Sequence, residues 1–348
     1  MSFFRSSADF TVRLISLSPI NYLKGLFKMY KKLLVSLSLI VTCFIISGCH
    51  ETTKADQSKD GYSFETLNLE GKKVEQHVKK SPNKVLVIGE KNAERLIYFG
   101  LEEKIDKLAY LESVNNKKIK GISVLAKEWP SKEAVVKSKP DLIYGISTAF
   151  QKDRLGDFNF WNEQGIAIGT TSNYKNGISP DNYFLEIEEL GHIFNMNQKT
   201  DRFIKEQKES IKKVTDQKKK VGRESILFVA SDGRGNYYYY PDEYSLVDEV
   251  VRELDGNYLD LGEEVVNLSY ESLIKINPEK IIFTSFMASE GGKDSLKWLE
   301  HDSLKNVVAI KNKEILEMNY DDVIRGNENI SNVYQEIYDF LKVESKEK

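Results

Sequence analysis

The sequence predicts an α/β protein made of two similar lobes that are joined by a helical segment. Short apolar strands alternate with helices along the chain, and this alternation is typical of βαβ units with a largely parallel sheet. A seventeen-residue unit that begins at Ser131 recurs at Ser269. The chain has 348 residues, which is too long for one small core and fits two domains of ordinary size.

The first half contains a hairpin followed by alternating strands and helices. Alternating apolar and polar residues over Tyr62–Val78, interrupted at Glu70-Gly71, predict two paired strands. Helical spacing predicts a helix over Asn92–Leu101. Apolar runs predict further strands at Lys84–Gly89, Asp141–Ile146 and Ile166–Thr170.

A helical region follows from Asp181 to about Lys220. Apolar residues recur every three or four positions up to Phe194 and again from Phe203, so we expect two helices, the second long and exposed on one face. Strand–helix alternation then starts again. Strands are predicted at Ser225–Val229, Lys280–Thr284, Asn306–Ile310 and Glu314–Met318, and helices at Leu246–Leu254 and Asn332–Val343.

The repeated unit reads SKEAVVKSKPDLIYGIS over Ser131–Ser147 and SYESLIKINPEKIIFTS over Ser269–Ser285. In each copy a Ser lies two residues before a Glu at the start of a short helix, and an X-Pro step ends the helix before a strand. Helix–proline–strand units are common in α/β proteins, so part of the match is generic. The copies align without a gap at an offset of 138 residues, about one lobe, which favours two lobes of like structure.

Composition excludes several classes of function. A formal charge of −3 does not fit a generally basic nucleic-acid binder. Both cysteines lie in one N-terminal apolar stretch, so the folded body has no disulfide framework, cysteine-based zinc site or cysteine nucleophile. The chain also lacks the GxxxxGK[ST], HExxH and GxSxG motifs. We therefore expect that the protein is not an enzyme. The competing classes are a carboxylate-only hydrolase and a structural surface protein.

The N-terminus has the features of a targeting segment. Met29-Tyr-Lys-Lys precedes a run of fourteen mostly apolar residues, Leu33–Ile46, which is shorter than the roughly 20 residues that span a bilayer. Ile46-Ser47-Gly48-Cys49 resembles the lipobox of bacterial lipoproteins, in which the Cys is lipidated and becomes the new N-terminus. An ordinary signal peptide or anchor, with Cys49 incidental, is the other interpretation.

These observations divide the chain into six segments. Residues 1–28 are an upstream extension whose translation the sequence does not establish, and they precede a lipoprotein signal peptide. The mature chain carries 44 basic and 52 acidic residues. The expected bounds are 1–28 for the extension, 29–49 for the signal peptide, 50–60 for a flexible tether, 61–180 for the N-terminal lobe, 181–222 for the helical connector and 223–348 for the C-terminal lobe.

Five blocks occur in order after the lipobox: KVLVIGEKNAERLIYFGLEEKI, EAVVKSKPDLIYG, the long helix before Lys220, YESLIKINPEKIIF and LKNVVAIKNKEIL. Together they resemble the bacterial ABC-transporter solute-binding lipoproteins that serve iron–siderophore, haem and cobalamin uptake. This resemblance covers about Tyr62 to Leu341. It implies two Rossmann-like lobes joined by a long rigid helix, a ligand cleft between the lobes, and a monomer that works with an ABC permease and its ATPase.

The resemblance also implies one acidic residue on the surface of each lobe that pairs with arginines of the permease. Glu133 and Glu271, in the two repeated helix starts, match that pattern. Two carboxylates on separate lobes would fix the docking register electrostatically. The other interpretation is that each Glu only stabilises its helix dipole, by about 0.3–1 kcal/mol.

Candidate ligand-binding residues lie in loops that follow the predicted strands, where α/β proteins bind ligands. The loop Ser231–Tyr244 combines glycines, one arginine and five tyrosines. If Tyr237–Tyr240 is extended, neighbouring side chains alternate, so only 237/239 or 238/240 can face a cleft. The candidates are Arg234, Tyr238, Tyr240, Tyr244, Arg325, Lys91 and Tyr320; each of the two arginines has a surface salt bridge as its other interpretation.

The chain is poor in histidine and rich in tyrosine, with 4 His and 18 Tyr. A haem protein needs a Tyr, His or Met axial ligand, for which His301 and Met287 are available. A hexadentate siderophore supplies all the ligands of its iron, so its receptor needs only aromatic and cationic groups. We therefore expect the ligand to be a ferric siderophore, with haem or cobalamin as the alternatives, and we expect no protein cofactor or directly bound metal. The lipobox in turn predicts a lipid-anchored location at the outer face of the cytoplasmic membrane.

Overall fold

The structure, a computed structural model, describes residues 61–111, 116–171, 177–241, 244–286, 293–324, 326 and 329–343. The predictions for Cys49, for the other segments before residue 61 and for Arg325 concern residues outside these ranges. Within the ranges, no helix is both long enough and apolar enough to cross a membrane.

A five-stranded parallel sheet forms the first lobe, in the order β5-β4-β3-β6-β7. An antiparallel hairpin, β1 and β2, lies beside the edge strand β7. The Thr170 N–H donates to Thr66 Oγ1 (2.9 Å) and the Ile168 N–H donates to Gln76 Oε1 (3.0 Å). Side chains of the hairpin thus satisfy backbone N–H groups on the outer edge of β7. The bounds are β1 Tyr62–Leu67, β2 Lys73–Val78, β3 Val85–Ile88, β4 Ile105–Ala109, β5 Val124–Ala126, β6 Leu142–Ile146, β7 Ala167–Thr171, α1 Glu90–Tyr98, α2 Lys132–Ser138 and α3 Phe158–Glu163.

Two helices lead from the first sheet to the second, as predicted: α4 Pro180–Phe194 and α5 Asn197–Thr215. Asn195 ends α4 in the left-handed conformation (φ 55°). The start of α5 is bound to the first lobe, because Lys199 Nζ donates to the Phe99 carbonyl (2.7 Å). Its end leads through a lysine-rich turn into the second sheet. At 19 residues, α5 is about 28 Å long, enough to join the two lobes.

The second lobe contains a six-stranded mixed sheet in the order β11-β9-β8-β12-β13, with β10 beside the start of β8. Strands β8, β10, β12 and β13 are parallel, whereas β9 is antiparallel to both β8 and β11. The bounds are β8 Ser225–Ser231, β9 Tyr237–Tyr239, β10 Asn257–Tyr258, β11 Val266–Asn267, β12 Lys280–Ser285, β13 Ile315–Asn319, α6 Leu246–Glu253, α7 Tyr270–Ile276, α8 Lys293–Leu296, α9 Val308–Lys311, α10 Tyr320–Ile324 and α11 Ile330–Leu341.

The sequence repeat corresponds to a structural repeat. Helices α2 and α7 have seven residues each, and the hydroxyls of Ser131 and Ser269 cap them by accepting from the N–H three residues on. Each helix ends in a left-handed residue, Lys139 (φ 51°) or Asn277 (φ 49°). Each is then followed by a central strand, β6 or β12. The prediction of two lobes with a shared unit is therefore confirmed.

One predicted strand, Asn306–Ile310, is wrong, because Val308–Lys311 forms the short helix α9. The Asn277 side chain accepts a hydrogen bond from the Val308 N–H (3.0 Å) and so starts this turn. The edge of β12 is occupied by β13 instead. A short apolar run fits a buried strand and a short helix equally well, and periodicity does not separate them.

A buried arginine ties α1 and α4 of the first lobe to the second. Arg95 Nη1 donates to Glu186 Oε2 and Nη2 donates to the Gly326 carbonyl, both at 2.8 Å. The Arg95 side chain is only 6% exposed and that of Glu186 15%. Tyr183 lies beneath the guanidinium (5.7 Å to the ring centroid) and also contacts Gly326. One side chain thus fixes the relative position of three chain segments.

We expect Arg95→Met to lower the free energy of unfolding by about 3–5 kcal/mol, because the largely buried Glu186 carboxylate then loses its guanidinium partner. Urea denaturation measures this change. Lys212→Met is the control, since Lys212 pairs with Asp216 at 2.9 Å but the two side chains are 73% and 62% exposed, and it should cost less than about 1 kcal/mol. Equal losses in the two variants would contradict the special role of the buried pair.

A second acid on α4, Glu189, lies between Glu186 and the β1–β2 hairpin. Burial and, after it, the charges of Glu186, Glu65 and Glu188 raise the pKa of Glu189 to about 8, although Lys73 opposes the shift. The folded state therefore binds a proton that the unfolded state releases near its usual pKa of 4.5. This contribution to stability is complete below about pH 4.5 and is lost as the pH rises through 8.

As the pH rises from 5 to about 8, the free energy of unfolding should fall less in Glu189→Gln than in the parent protein. The difference should be on the order of 1–3 kcal/mol. Urea denaturation at several pH values gives the difference. Glu188→Gln is the control, because the Glu188 side chain is 54% exposed. Parallel stability profiles for the parent and the Glu189 variant would contradict the shifted pKa.

Candidate ligand-binding site

Strand order locates the candidate site at the carboxyl edges of the two sheets. In the first sheet, the connections from β3 go to β4 on one side and, later, to β6 on the other. In the second sheet, β8 likewise has the parallel strand β10 on one side and the parallel strand β12 on the other. A crevice opens at such a switch point, where neighbouring loops diverge. The loops concerned begin at Gly89, Ser147, Asp232 and Phe286.

Lys91 lies in the first turn of α1, directly after β3, where it contacts both lobes. Its ammonium is 3.3 Å from Glu94 Oε2 and 3.6 Å from Asp321 Oδ2, on α10 of the second lobe. Lys118 Nζ (2.9 Å) and Asn116 Nδ2 (2.6 Å) also donate to Glu94. Burial would raise the pKa of Glu94, but these hydrogen bonds and charges hold it below its usual value. Lys91 is therefore a cation placed at the edge and held by carboxylates of both lobes.

At the carboxyl edge of the first sheet, a cation stacks on one of two paired aromatic rings. The rings of Tyr110, after β4, and Trp129, after β5, lie parallel with centroids 4.0 Å apart. The Arg154 guanidinium lies 3.9 Å over Trp129, and its Nη1 donates to the Thr148 carbonyl in the loop after β6 (3.0 Å). Three loops thus build one half-buried group that offers a guanidinium and flat ring faces.

Arg154, Trp129 and Tyr110 are not among the residues that the sequence predicts for the site. Arg154 lies eight residues after the end of β6, and β5 is a three-residue strand without a clear apolar pattern. The available signal in the sequence was an arginine that follows a strand and a loop and has aromatic residues near it. Only the fold shows that the three residues meet.

The hairpin after β8 carries the predicted arginine. Asp232 Oδ1 accepts from the backbone N–H of Arg234 (2.8 Å) and of Asn236 (3.1 Å), which holds the turn. Burial works to raise the pKa of Asp232, but hydrogen bonds from the Asn236 side chain and from these two amides keep it low. Arg234 is exposed at the tip of this turn, at the carboxyl edge.

The tyrosines alternate along β9 as an extended segment requires. Tyr237 and Tyr239 are buried, whereas Tyr238 and Tyr240 are half-buried and stack with centroids 6.4 Å apart. Because β9 runs antiparallel to β8, it leads away from the carboxyl edge, and Tyr240 lies beside Phe228 in the middle of β8. Tyr244 is 47% exposed and contacts Tyr240. Tyr238 is thus nearer the carboxyl edge than Tyr240 or Tyr244.

The remaining predicted ligand residues follow β13. Tyr320 is half-buried directly after this strand and packs edge-to-face on Phe286, which follows β12 (5.1 Å). It therefore lies at the carboxyl edge of the second sheet. Arg325 lies outside the described residues. Among the described residues, no cluster of His, Cys, Asp or Glu side chains has the arrangement of a metal site.

The two predicted docking glutamates occupy equivalent positions. Glu133 and Glu271 are exposed at the starts of α2 and α7, which return the chain from the carboxyl edge to the next parallel strand. Hydrogen bonds from their own backbone N–H groups and from Ser131 or Ser269 lower the pKa of both carboxyls. Within the described residues, no Lys or Arg forms a salt bridge with either. Both lobes thus present an ionised carboxylate at the edge where a ligand would bind.

Two open parallel-type sheets, joined by a helix and facing a common edge with cations and aromatic rings, define a two-lobed solute-binding protein. A family model described as periplasmic binding protein matches residues 71–321, and the chain belongs to this family. Members of the family bind solutes for ABC transporters, so the chain is a binding protein rather than an enzyme.

Particular relatives agree with this class. The petrobactin-binding protein YclQ of Bacillus subtilis (strain 168) is 25% identical over 297 residues, covering 82% of this chain and 90% of YclQ. YvrC from the same organism, named an uncharacterized ABC transporter substrate-binding lipoprotein, is 19% identical over 80% of this chain and 88% of its own length. The crystal structure of a periplasmic binding protein from Veillonella parvula DSM 2008 superposes with a TM-score of 0.69 at 19% identity, covering 82% of this chain and 92% of that one.

Proposed function

We propose that this protein is a lipid-anchored receptor that captures a ferric siderophore between its two lobes and delivers it to an ABC permease and its ATPase. The observation that carries the proposal is the set of cations and rings at the carboxyl edges: Arg154 on Trp129 in the first lobe, Arg234 in the second, and Lys91 between them. Ferric siderophores are often anionic and present flat, oxygen-rich surfaces. Guanidinium groups and aromatic faces suit such a surface.

The similarity to a petrobactin-binding protein supports the siderophore over haem or cobalamin. The composition of the edge supports it as well, since a ligand that already saturates its iron needs no axial side chain. Tyr238 and Tyr320 complete the proposed contact surface. Tyr240, Tyr244 and Arg325 stay candidates for its outer part.

The proposed topology places the folded body outside the cytoplasmic membrane. Cys49 would carry the lipid, residues 29–49 would be the signal peptide, and residues 50–60 would be the tether. Residues 61–180 and 223–348 form the proposed lobes, with 181–222 as the connector. The word lipoprotein in the name of YvrC supports the anchor. Metabolic labelling with a radioactive fatty acid, with and without Cys49→Ser, tests it.

We expect ferric petrobactin or another ferric siderophore to raise the melting temperature of the mature protein, while sugars and amino acids do not. Arg154→Gln should raise the Kd of that complex about 10–100-fold, since a charge-assisted contact contributes about 1.5–3 kcal/mol. Tryptophan fluorescence reports the titration, because Trp129 lies beneath Arg154 while Trp161 is fully buried. The panel contains ferric petrobactin, a ferric hydroxamate, ferric citrate, haemin and cobalamin.

Arg252→Gln is the control for this experiment. Arg252 also lies over an aromatic ring, that of Tyr258 (5.5 Å), but on α6, away from the carboxyl edge. Its substitution should leave the Kd unchanged within about twofold. A melting-temperature shift with haemin or cobalamin alone would sink the siderophore proposal, and an unchanged Kd in Arg154→Gln would remove this residue from the site.

We expect Glu133→Ala combined with Glu271→Ala to spare ligand affinity and to lower cellular uptake of the iron-55 complex at least tenfold, because the electrostatic contacts with the permease are lost. The control combines Glu103→Ala with Glu317→Ala, one exposed glutamate from each lobe. Loss of affinity, or unchanged uptake, would show that these carboxylates do not dock the protein.

A further inference from the structure

Four planar side chains form a continuous stack on the second lobe. The ring of Tyr237 lies parallel to Trp298 (4.2 Å, 12°), Trp298 stacks on Tyr270 (5.4 Å, 21°), and Tyr270 stacks on His301 (4.1 Å, 13°). Stacked rings of this kind stabilise one another beyond the free energy that their burial alone provides. The stack begins at β9, passes through the first residue of α7, and ends on the surface at His301.

Both ends of the stack are held in place. At the inner end, Tyr237 is 7% exposed, its hydroxyl donates to the Ser295 carbonyl (3.1 Å), and its own carbonyl accepts from the Leu268 N–H (2.7 Å). At the outer end, His301 is exposed and its Nδ1 lies 2.8 Å from Ser303 Oγ. The rings are therefore fixed before any partner arrives, and binding to them costs little side-chain entropy.

The outer end of the stack lies next to the docking carboxylate. Tyr270 immediately precedes Glu271, and Ile274 lies one helical turn beyond Tyr270 on the same face of α7. Ile274 is 46% exposed, which is unusual for a side chain of its type. A carboxylate, an imidazole ring and an aliphatic side chain thus share one surface. We call this surface the α7 patch, formed by Tyr270, Glu271, Ile274 and His301.

The equivalent surface of the first lobe is different. In the repeat, Lys132 takes the position of Tyr270, and its ammonium lies 5.4 Å over the Phe160 ring. Val136 takes the position of Ile274 and is only half-exposed. The rings and the exposed isoleucine are therefore not required by the repeated helix itself, since its copy folds in the same way without them.

We propose that the α7 patch is a docking surface for an extracellular loop of the ABC permease that carries an arginine beside an apolar side chain. The guanidinium would pair with Glu271 and lie on the outer face of His301, while the apolar side chain would cover Ile274. Arginine makes both contacts, because its guanidinium binds carboxylates and stacks on rings. An ionised carboxylate in the centre of the patch favours such a partner over an anionic lipid surface. The inference rests on the proposed docking role of Glu271 and extends it to neighbouring residues.

The test compares Ile274→Ser/His301→Ala with a matched pair, Leu185→Ser/His192→Ala. Leu185 is 53% exposed and the His192 side chain 50%, and both lie on α4, away from the patch. The probe is the iron-55 form of the complex from the panel above that gives the largest shift in melting temperature. Cells that carry each variant as their only copy are assayed for uptake, and the purified variants for Kd.

We expect the patch pair to lower uptake about tenfold at a subsaturating concentration, with the Kd unchanged within twofold, and the control pair to change neither. A photoreactive benzoyl-phenylalanine at position 274 should form a crosslink to a membrane-embedded permease subunit. Uptake that stays at the parent level in the patch pair, or a crosslink only to a second copy of this chain, overturns the inference. Glu271→Ala separates the two proposals. If it abolishes uptake while the patch pair does not, only the patch is wrong; if neither change matters, the docking role itself fails.

Discussion

The arrangement of the two lobes depends on one buried arginine. Arg95 lies where α1, α4 and the segment at Gly326 meet, and it satisfies both Glu186 and a backbone carbonyl. A buried guanidinium is costly unless its charge and its N–H groups all find partners, so these partners are geometrically demanding. The hydrogen bond from Arg95 to the Gly326 carbonyl therefore restricts how the second lobe can move against the first, in addition to helix α5, which joins the two lobes. Lys91 and Asp321 add a weaker contact between the lobes nearer the carboxyl edges.

The repeat shows how one folding unit can serve two roles. Ser caps, left-handed ends and central strands are common to α2–β6 and α7–β12, because they determine the local backbone. The side chains around the unit have diverged. The first lobe places a guanidinium on Trp129 beside its copy, whereas the second places a stack of four rings there. The two copies of the repeated backbone thus carry different surfaces at equivalent positions of the two lobes.

The candidate site is assembled from loops that are far apart in the sequence. Tyr110, Trp129 and Arg154 each follow a different strand, and neighbouring parallel strands bring their carboxyl ends to one edge. Stacking then fixes the orientation of the guanidinium, which one hydrogen bond to Thr148 completes. A fixed cation loses less entropy on binding an anion than a mobile one. This pre-organisation fits a family whose members bind solutes without transforming them.

The sequence by itself determined the α/β class, the two lobes, the pair of connecting helices and the equivalence of Glu133 with Glu271, because periodicity, capping residues and the repeat are local signals. It also placed Lys91, Arg234 and Tyr320 after strands. Only the tertiary structure decided which side chains meet: that Arg154 belongs with Trp129, that Tyr240 lies away from the carboxyl edge, and that residues 308–311 form a helix. These outcomes depend on strand order and on contacts between distant segments, which no local pattern encodes.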